Sequence, residues 1–160
     1  MKFLDGFVGR FNATIGLDAN LIVKTQNRYF LLNSKLKCLV REDFFHAGTY
    51  LGKVKNSVFF PSFPLLTMIA EKETSNKVIA NENTEWLFIC GRDIFRKGIL
   101  KTEGVKRKGD HALILNNHGE CLGFGRLVLD LNKKVAGQQV AMKNISDLGD
   151  FLRREKTISR

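Results

Sequence analysis

The sequence is poor in the residues that build disulfide frameworks, rigid linkers and membrane spans. It holds three cysteines in 160 residues, Cys38, Cys90 and Cys121, far apart and without a CxxC pair. That spacing argues against a disulfide scaffold and a structural zinc site, and a reducing compartment is the simplest setting. Cys90 and Cys121 sit in strand-like runs and are expected to be buried, inert thiols. Only two prolines occur, Pro61 and Pro64, so there is no Pro-rich linker. No apolar run approaches the roughly 20 residues that cross a bilayer. The first residues, MKFLDGFVGRF, carry an acid at Asp5 and no small-residue cleavage site, which argues against a secretory leader. Acids are also scarce: 16 Asp and Glu against 26 Lys and Arg, net charge +10. A surplus of this size points to a polyanionic partner.

What is present is a core-forming composition: 44% hydrophobic residues, with phenylalanine supplying 13 of 16 aromatics. The chain can be one domain or two small ones. Apolar positions at Phe3, Leu4, Phe7, Val8 and Phe11 have helical spacing, and Gly16 is the expected stop. Residues 20–40 read as a three-strand meander: 21–23, 28–32 and 37–40, with polar breaks at 25–27 and 33–34. Residues 41–47 read as a short helix, with His46 structural or exposed rather than a ligand. Residues 54–60 read as one strand. Ser62 is placed to cap a helix that starts at Pro64. Val78, Ile79 and Ala80 read as an edge strand, followed by the polar linker ANENTE. The boundary between two domains is therefore expected near residue 83.

The second half is denser in positive charge. Residues 84–160 hold 15 bases against 9 acids, and residues 1–83 hold 11 against 7. Residues 86–90 read as a short buried strand, because Leu87-Phe88-Ile89 is brief and followed by Gly91. One or two helical turns are expected over 92–97, with Asp93 accepting from their free N–H groups. From Arg96 to Lys108 there are six bases and one acid, which marks Lys106, Arg107 and Lys108 as candidate polyanion contacts. Strands follow at 111–115, 122–129 and 138–142. Gly123 and Gly125 inside one of them mark a bend or a close backbone approach. Ser146 and Asp147 open a last helix, with Leu148, Phe151 and Leu152 expected inward.

Known catalytic signatures are missing. LGFG is not GxGxxG, because Val128 stands where a glycine would be, and a strand follows it. No nucleophile elbow, HExxH or paired-carboxylate motif occurs. Asp43 with His46, and His118 with Cys121, lack a third partner. The chain is read as non-enzymatic, with no cofactor and no metal.

The pattern CGRDIFRKGI, basic loop, ALILN, GECLGFGRL resembles a PUA domain, the small β-barrel of RNA-modifying enzymes and ribosome factors. The ending ISDLGDFLRREKTISR is similar to that of the Nip-seven family of large-subunit ribosome assembly factors, in an archaeal-type form. The resemblance is strong over 84–160 and weaker over 1–83. It implies an α+β protein: an N-terminal antiparallel α/β domain (1–83) that docks proteins, then a PUA β-barrel (84–160) that binds RNA. Carried over, the RNA-binding positions are Arg92, Arg96, Lys97, Lys101, Lys143, Arg153, Arg154 and Lys156. Contacts to phosphate would dominate. The candidate stacking aromatics, Trp86, Phe88, Phe95, Phe124 and Phe151, are expected mostly in the core. The function implied is a monomeric, non-catalytic factor that holds pre-rRNA beside other assembly proteins, with no membrane partner. Cytoplasm is the expected location, or the nucleolus in a eukaryote. Two alternatives are an accessory subunit of an RNA-modifying enzyme and a tRNA- or translation-linked module.

Overall fold

The computed structural model describes residues 2–40, 44–133 and 137–158, with side chains as far as Arg153. Helix α1 (Lys2–Gly9) buries Leu4, Phe7 and Val8, three and four residues apart, and leaves Phe3 exposed. It ends well before Gly16. Tight turns at Arg10, Phe11 and Asn12 close it, and Asn12 takes φ +54°. Strands β1 (Ile22–Thr25) and β2 (Arg28–Leu31) form the expected hairpin.

The third expected strand is instead a helix, α2 (Ser34–Leu39). Asn33 Oδ1 accepts from Leu36 N at 2.7 Å and so satisfies a free first-turn donor. Leu36 and Val40, four apart, pack against Phe30 and Leu32, while Leu39 is exposed. Residues 41–43 of the expected helix over 41–47 lie outside the described residues, and 44–47 are not helical. The expected strand over 54–60 is a hairpin. Its arms are β3 (Thr49–Lys55) and β4 (Val58–Pro61). Asn56 and Ser57 both take positive φ, 49° and 60°, the pair of conformations that matches the twist of a two-residue hairpin. The four strands form an antiparallel sheet in sequence order.

Helix α3 (Phe63–Ala70) starts as its sequence predicts. Ser62 Oγ accepts from Leu65 N at 3.2 Å, and the Ser62 hydroxyl donates to the Tyr50 carbonyl. The chain then enters a second sheet through β5 (Lys77–Ala80). Helix α4 (Glu82–Ile89) replaces the strand expected over 86–90. The stretch read as a linker is its cap and first turn: Asn81 Oδ1 accepts from Thr84 N, and Glu82 and Glu85 lie at the positive end of the helix. Of its apolar residues only Phe88 is fully buried, and Trp86 is 66% exposed. Cys90 caps this helix and is exposed, not buried, whereas Cys121 is buried as expected.

The expected turns of helix over 92–97 shrink to β6 (Ile94–Phe95) and a single 3-10 turn, Arg96–Gly98. Then come β7 (Ile99–Glu103), β8 (His111–Leu115), β9 (Cys121–Leu127), β10 (Val140–Asp147) and helix α5 (Leu148–Ile158). The sheet order is β6-β10-β9-β8-β5-β7, with β5 and β8 parallel and the other pairs antiparallel. Laid flat, six strands about 4.8 Å apart would separate β6 from β7 by about 24 Å. The three-residue turn that joins them rises only about 6 Å, at about 2 Å per residue. The sheet must therefore curl, and it closes into a half-barrel. Gly123 and Gly125 permit the close approach of β10: a Cβ on either would lie 2.2 Å from Ser146 O or 2.4 Å from Lys143 O.

Two corrections concern the division of the chain. β5 is an interior strand between β7 and β8, not an edge. Residue 83 lies within α4, and the change from one sheet to the other falls in residues 71–76. The curl encloses Val78, Phe88, Ile94, Ile114, Leu127 and Met142. A separate core joins the halves, with Phe7, Phe11 and Ile69 against Leu113 and Phe124. The Phe124 ring meets those of Phe7 and Phe11 edge-on at 5.6 and 5.7 Å. Phe124→Ala therefore costs about 3–5 kcal/mol and destabilises both halves together. Chemical denaturation should show one transition, at a lower midpoint, by circular dichroism and by Trp86 fluorescence. Two separated transitions in the parent protein would contradict the shared core.

Candidate nucleic-acid interface

The candidate site is built on β10 and the short edge strand β6. Just past the Cys90 cap of α4, Gly91 (φ +86°) turns the chain so that Arg92 and Asp93 lie over β10. Asp93 does not serve a helical first turn. Its carboxylate accepts from Lys143 Nζ and, at 3.0 Å, from Asn144 N. Partial burial pushes the Asp93 carboxyl up, but the bonds from Lys143 and Asn144 and the Lys143 charge outweigh it and hold the pKa below the usual range. Asn144 Nδ2 donates to Phe88 O, Arg92 O and Asp147 Oδ2. Asp147, 3% exposed, also caps α5 by accepting from Asp150 N at 2.8 Å and pairs with Arg153 at 3.6 Å. Asn144 and Asp147 thus tie the Arg92 backbone, beside Lys143 in the middle of β10, to Arg153 beyond its end, although Arg92 and Arg153 are far apart in the chain.

The other candidates fall elsewhere. Arg96 N and Lys97 N donate to Gln139 O and Gly137 O, at the start of β10. An eight-residue strand spans about 24 Å, at about 3.4 Å per residue. Arg96, Lys97, Lys101 and Arg153, all among the carried-over positions, are therefore spread out rather than gathered in one cluster. Arg96 and Lys97 sit at one end of β10 and Arg153 at the other. Lys101 lies on β7, at the opposite margin of the sheet, in an ion pair with Glu103 at 2.7 Å. Lys106, Arg107 and Lys108 extend from an exposed loop. Asp110 Oδ2 accepts from Lys106 N and Arg107 N, and Lys106 O accepts from Leu131 N. The side chains of Arg154 and Lys156 lie outside the described residues.

Strand register also sets two bases that the sequence did not single out, His111 and Arg126, in line with Lys143. His111, Arg126 and Lys143 are direct partners across β8, β9 and β10, so their side chains share one face. Arg10, from the turn after α1, adds its charge beside His111. No local pattern marks Arg126, because only the pairing of three distant strands aligns it. Two of the five aromatics expected mostly in the core are on the surface: Trp86 and, at 41% exposure, Phe95 on β6. Phe95 sits between the two groups of bases along β10. Phe88 and Phe124 are buried, and Phe151 packs on Phe63.

Burial raises the Cys121 thiol to about 11, with Sγ donating to Gly123 O. Among the described residues no group of three or more His, Cys, Asp or Glu is placed to hold a metal ion. No described helix is long and apolar enough to cross a membrane.

A curled six-stranded half-barrel, with a short helix before its edge strand and a basic path beside that strand, is a PUA-type domain. The match to the UPF0113 PUA domain model covers residues 76–156, and the chain belongs to that family. PUA domains generally bind RNA rather than catalyse a reaction, and no catalytic family is indicated. A UPF0113 protein of Archaeoglobus fulgidus is 28% identical over 116 residues, which span 70% of this chain and 64% of the relative. Among solved structures, a conserved PUA domain protein from Thermoplasma acidophilum superposes with a TM-score of 0.61 at 20% identity, over 96% of this chain and 92% of that one. A hypothetical protein from Pyrococcus horikoshii gives 0.53 at 15% identity, over 84% and 77%. At these identities the structures show the likeness of fold alone.

One titration follows from the cross-strand row. Burial above all, then the charges of Arg10 and Arg126, lower the His111 pKa, and only Asp110 opposes them. The unfolded chain therefore takes up this proton first. Stability from His111 is complete above its unfolded pKa of about 6.5 and is lost as pH falls through the folded value. The urea midpoint of the parent should drop between pH 7.5 and 5.5, and His111→Gln should flatten that drop. An unchanged slope in the variant would remove His111 from the account.

Proposed function

We propose that this protein is a non-catalytic RNA-binding factor of large-subunit ribosome assembly, akin to the Nip-seven family. It holds precursor rRNA through its PUA domain, beside other assembly proteins and as a monomer. The observation that carries the RNA contact is the line of bases along β10: Arg96 and Lys97 at its start, Lys143 and Arg92 beside its middle, Arg153 beyond its end. Phe95 lies exposed between them. An extended strand of RNA fits this arrangement better than a compact ligand does. Phosphates meet spaced cations, and one aromatic face is available to an unpaired base. Lys106, Arg107 and Lys108 add charge from their exposed loop. Arg154 and Lys156 continue the charge of the tail. Lys143 reaches phosphate by exchanging Asp93 for it.

The test is RNA affinity across a salt series. Each lost phosphate contact lowers the slope of log affinity against log salt by roughly 0.7 for single strands. Arg92→Ala, Lys97→Ala and Arg153→Ala together should lower it by about two units, at roughly 0.7 for each contact. Lys24→Ala, Lys35→Ala and Lys37→Ala together should leave it nearly unchanged. Equal losses from both would reduce the effect to net charge. In cells, the RNA cross-linked to the protein should be precursor large-subunit rRNA, and recovery of tRNA instead would favour a translation-linked role.

A further inference from the structure

The first sheet has a face whose chemistry the PUA reading leaves unused. Register places Thr25, Arg28, Lys53 and Phe60 in one row across its four strands. Lys55, two residues beyond Lys53 and opposite Val58, points to the same side. The other side of the sheet is occupied: Tyr29, Val54 and Phe59 pack against α1 and α3. On the row's own side, α2 and residues 44–47 cover only the end around Phe30 and Tyr50. Among the described residues nothing covers the remaining end, where Lys53, Lys55 and Val58 are exposed and Arg28 and Phe60 half-buried. Phe45 is 78% exposed beside it, with the Arg28 guanidinium 4.8 Å from its ring centre.

Three features of this face need an anion. Arg28 and Lys53 are directly opposite, a like-charge pairing that opposes the fold. The four strands contain no acidic residue. None of the described acids forms an ion pair with Arg28, Lys53 or Lys55. A structure that tolerates this repulsion gains most when a polyanion covers it. The aromatics select among polyanions: an exposed Phe45 carrying a stacked guanidinium, with Phe60 along the row, offers a π-face to an unstacked base.

We propose that this face of the N-terminal sheet is a second binding surface for single-stranded RNA. Arg28, Lys53 and Lys55 hold consecutive phosphates, and Phe45 stacks a base. This goes beyond the PUA reading and does not need it to hold. A protein with both surfaces bridges two segments of RNA, or two stretches of one long strand.

The experiment uses the full chain and fluorescent oligouridine of about 20 nucleotides. Arg28→Ala, Lys53→Ala and Lys55→Ala together should lower the salt slope by about two units, at roughly 0.7 per contact. Phe45→Ala should weaken affinity roughly 5- to 150-fold, the range for loss of one stacked base. The Lys24, Lys35 and Lys37 triple variant is the charge-matched control. An equal loss from that control, or no change in slope in the first variant, overturns the proposal. If the sheet variant loses slope and the PUA variant does not, this inference stands and the PUA reading falls. The reverse result overturns this inference alone. A measurement on the parent protein avoids misfolded variants. Oligouridine should protect Lys53 and Lys55 from acetylation read by mass spectrometry, and unaltered labelling overturns the proposal. Binding to phosphatidylserine vesicles but not to oligouridine would assign the face to a membrane and also overturn it.

Discussion

The curl of the second sheet rests on a three-residue connection. Arg96–Gly98 must carry the chain from the first strand of the sheet order to the last. The turn is anchored at both ends. Asn81 N donates to Gly98 O, Asn81 Nδ2 donates to Lys97 O, and the N–H groups of Arg96 and Lys97 bond the start of β10. Gly98 lies against Thr84, where a Cβ would come within 2.2 Å of Oγ1. One asparagine thus caps α4 and clasps the turn. The helix, the closure and the basic path along β10 are set by the same few bonds.

The two halves do not behave as beads on a linker. Phe124 belongs to the barrel sheet, yet its ring packs on Phe7 and Phe11 of the first half. Asn76 N donates to Phe11 O, and Asn76 Nδ2 donates to His111 O, so the crossing point is also stitched by hydrogen bonds. A rigid crossing of this kind fixes the angle between the first sheet's open face and the β10 path. The two basic surfaces are presented as one body.

Much of the fold was legible in the sequence, and the failures share a cause. Ser62, the glycines of β9 and the strands around residues 22, 30, 113 and 125 were found because each has a local signal. Residues 37–40 and 86–90 were misread because a run of three or four apolar residues suits a strand or a helix equally well. The deciding residues lay upstream: Asn33 and Asn81, each accepting from the N–H three residues on. The site was legible only as residue type. Which bases meet depends on register, and register set Arg126 beside Lys143 and held Arg96 away from Arg153. The five candidate aromatics are expected mostly in the core, and Phe95 and Trp86 are the two that are exposed. A two-residue edge strand and a one-sided helix leave them out.

The position of β5 has a consequence for any attempt to divide the molecule. It enters the barrel sheet from the first half of the sequence, parallel to β8 and between β8 and β7. A fragment that begins at residue 84 would carry five of the six strands and have an empty slot between β8 and β7. Both walls of that slot would present unpaired backbone groups, the template on which strands of other molecules add. The short stretch that looks like the tail of one domain is the keystone of the other.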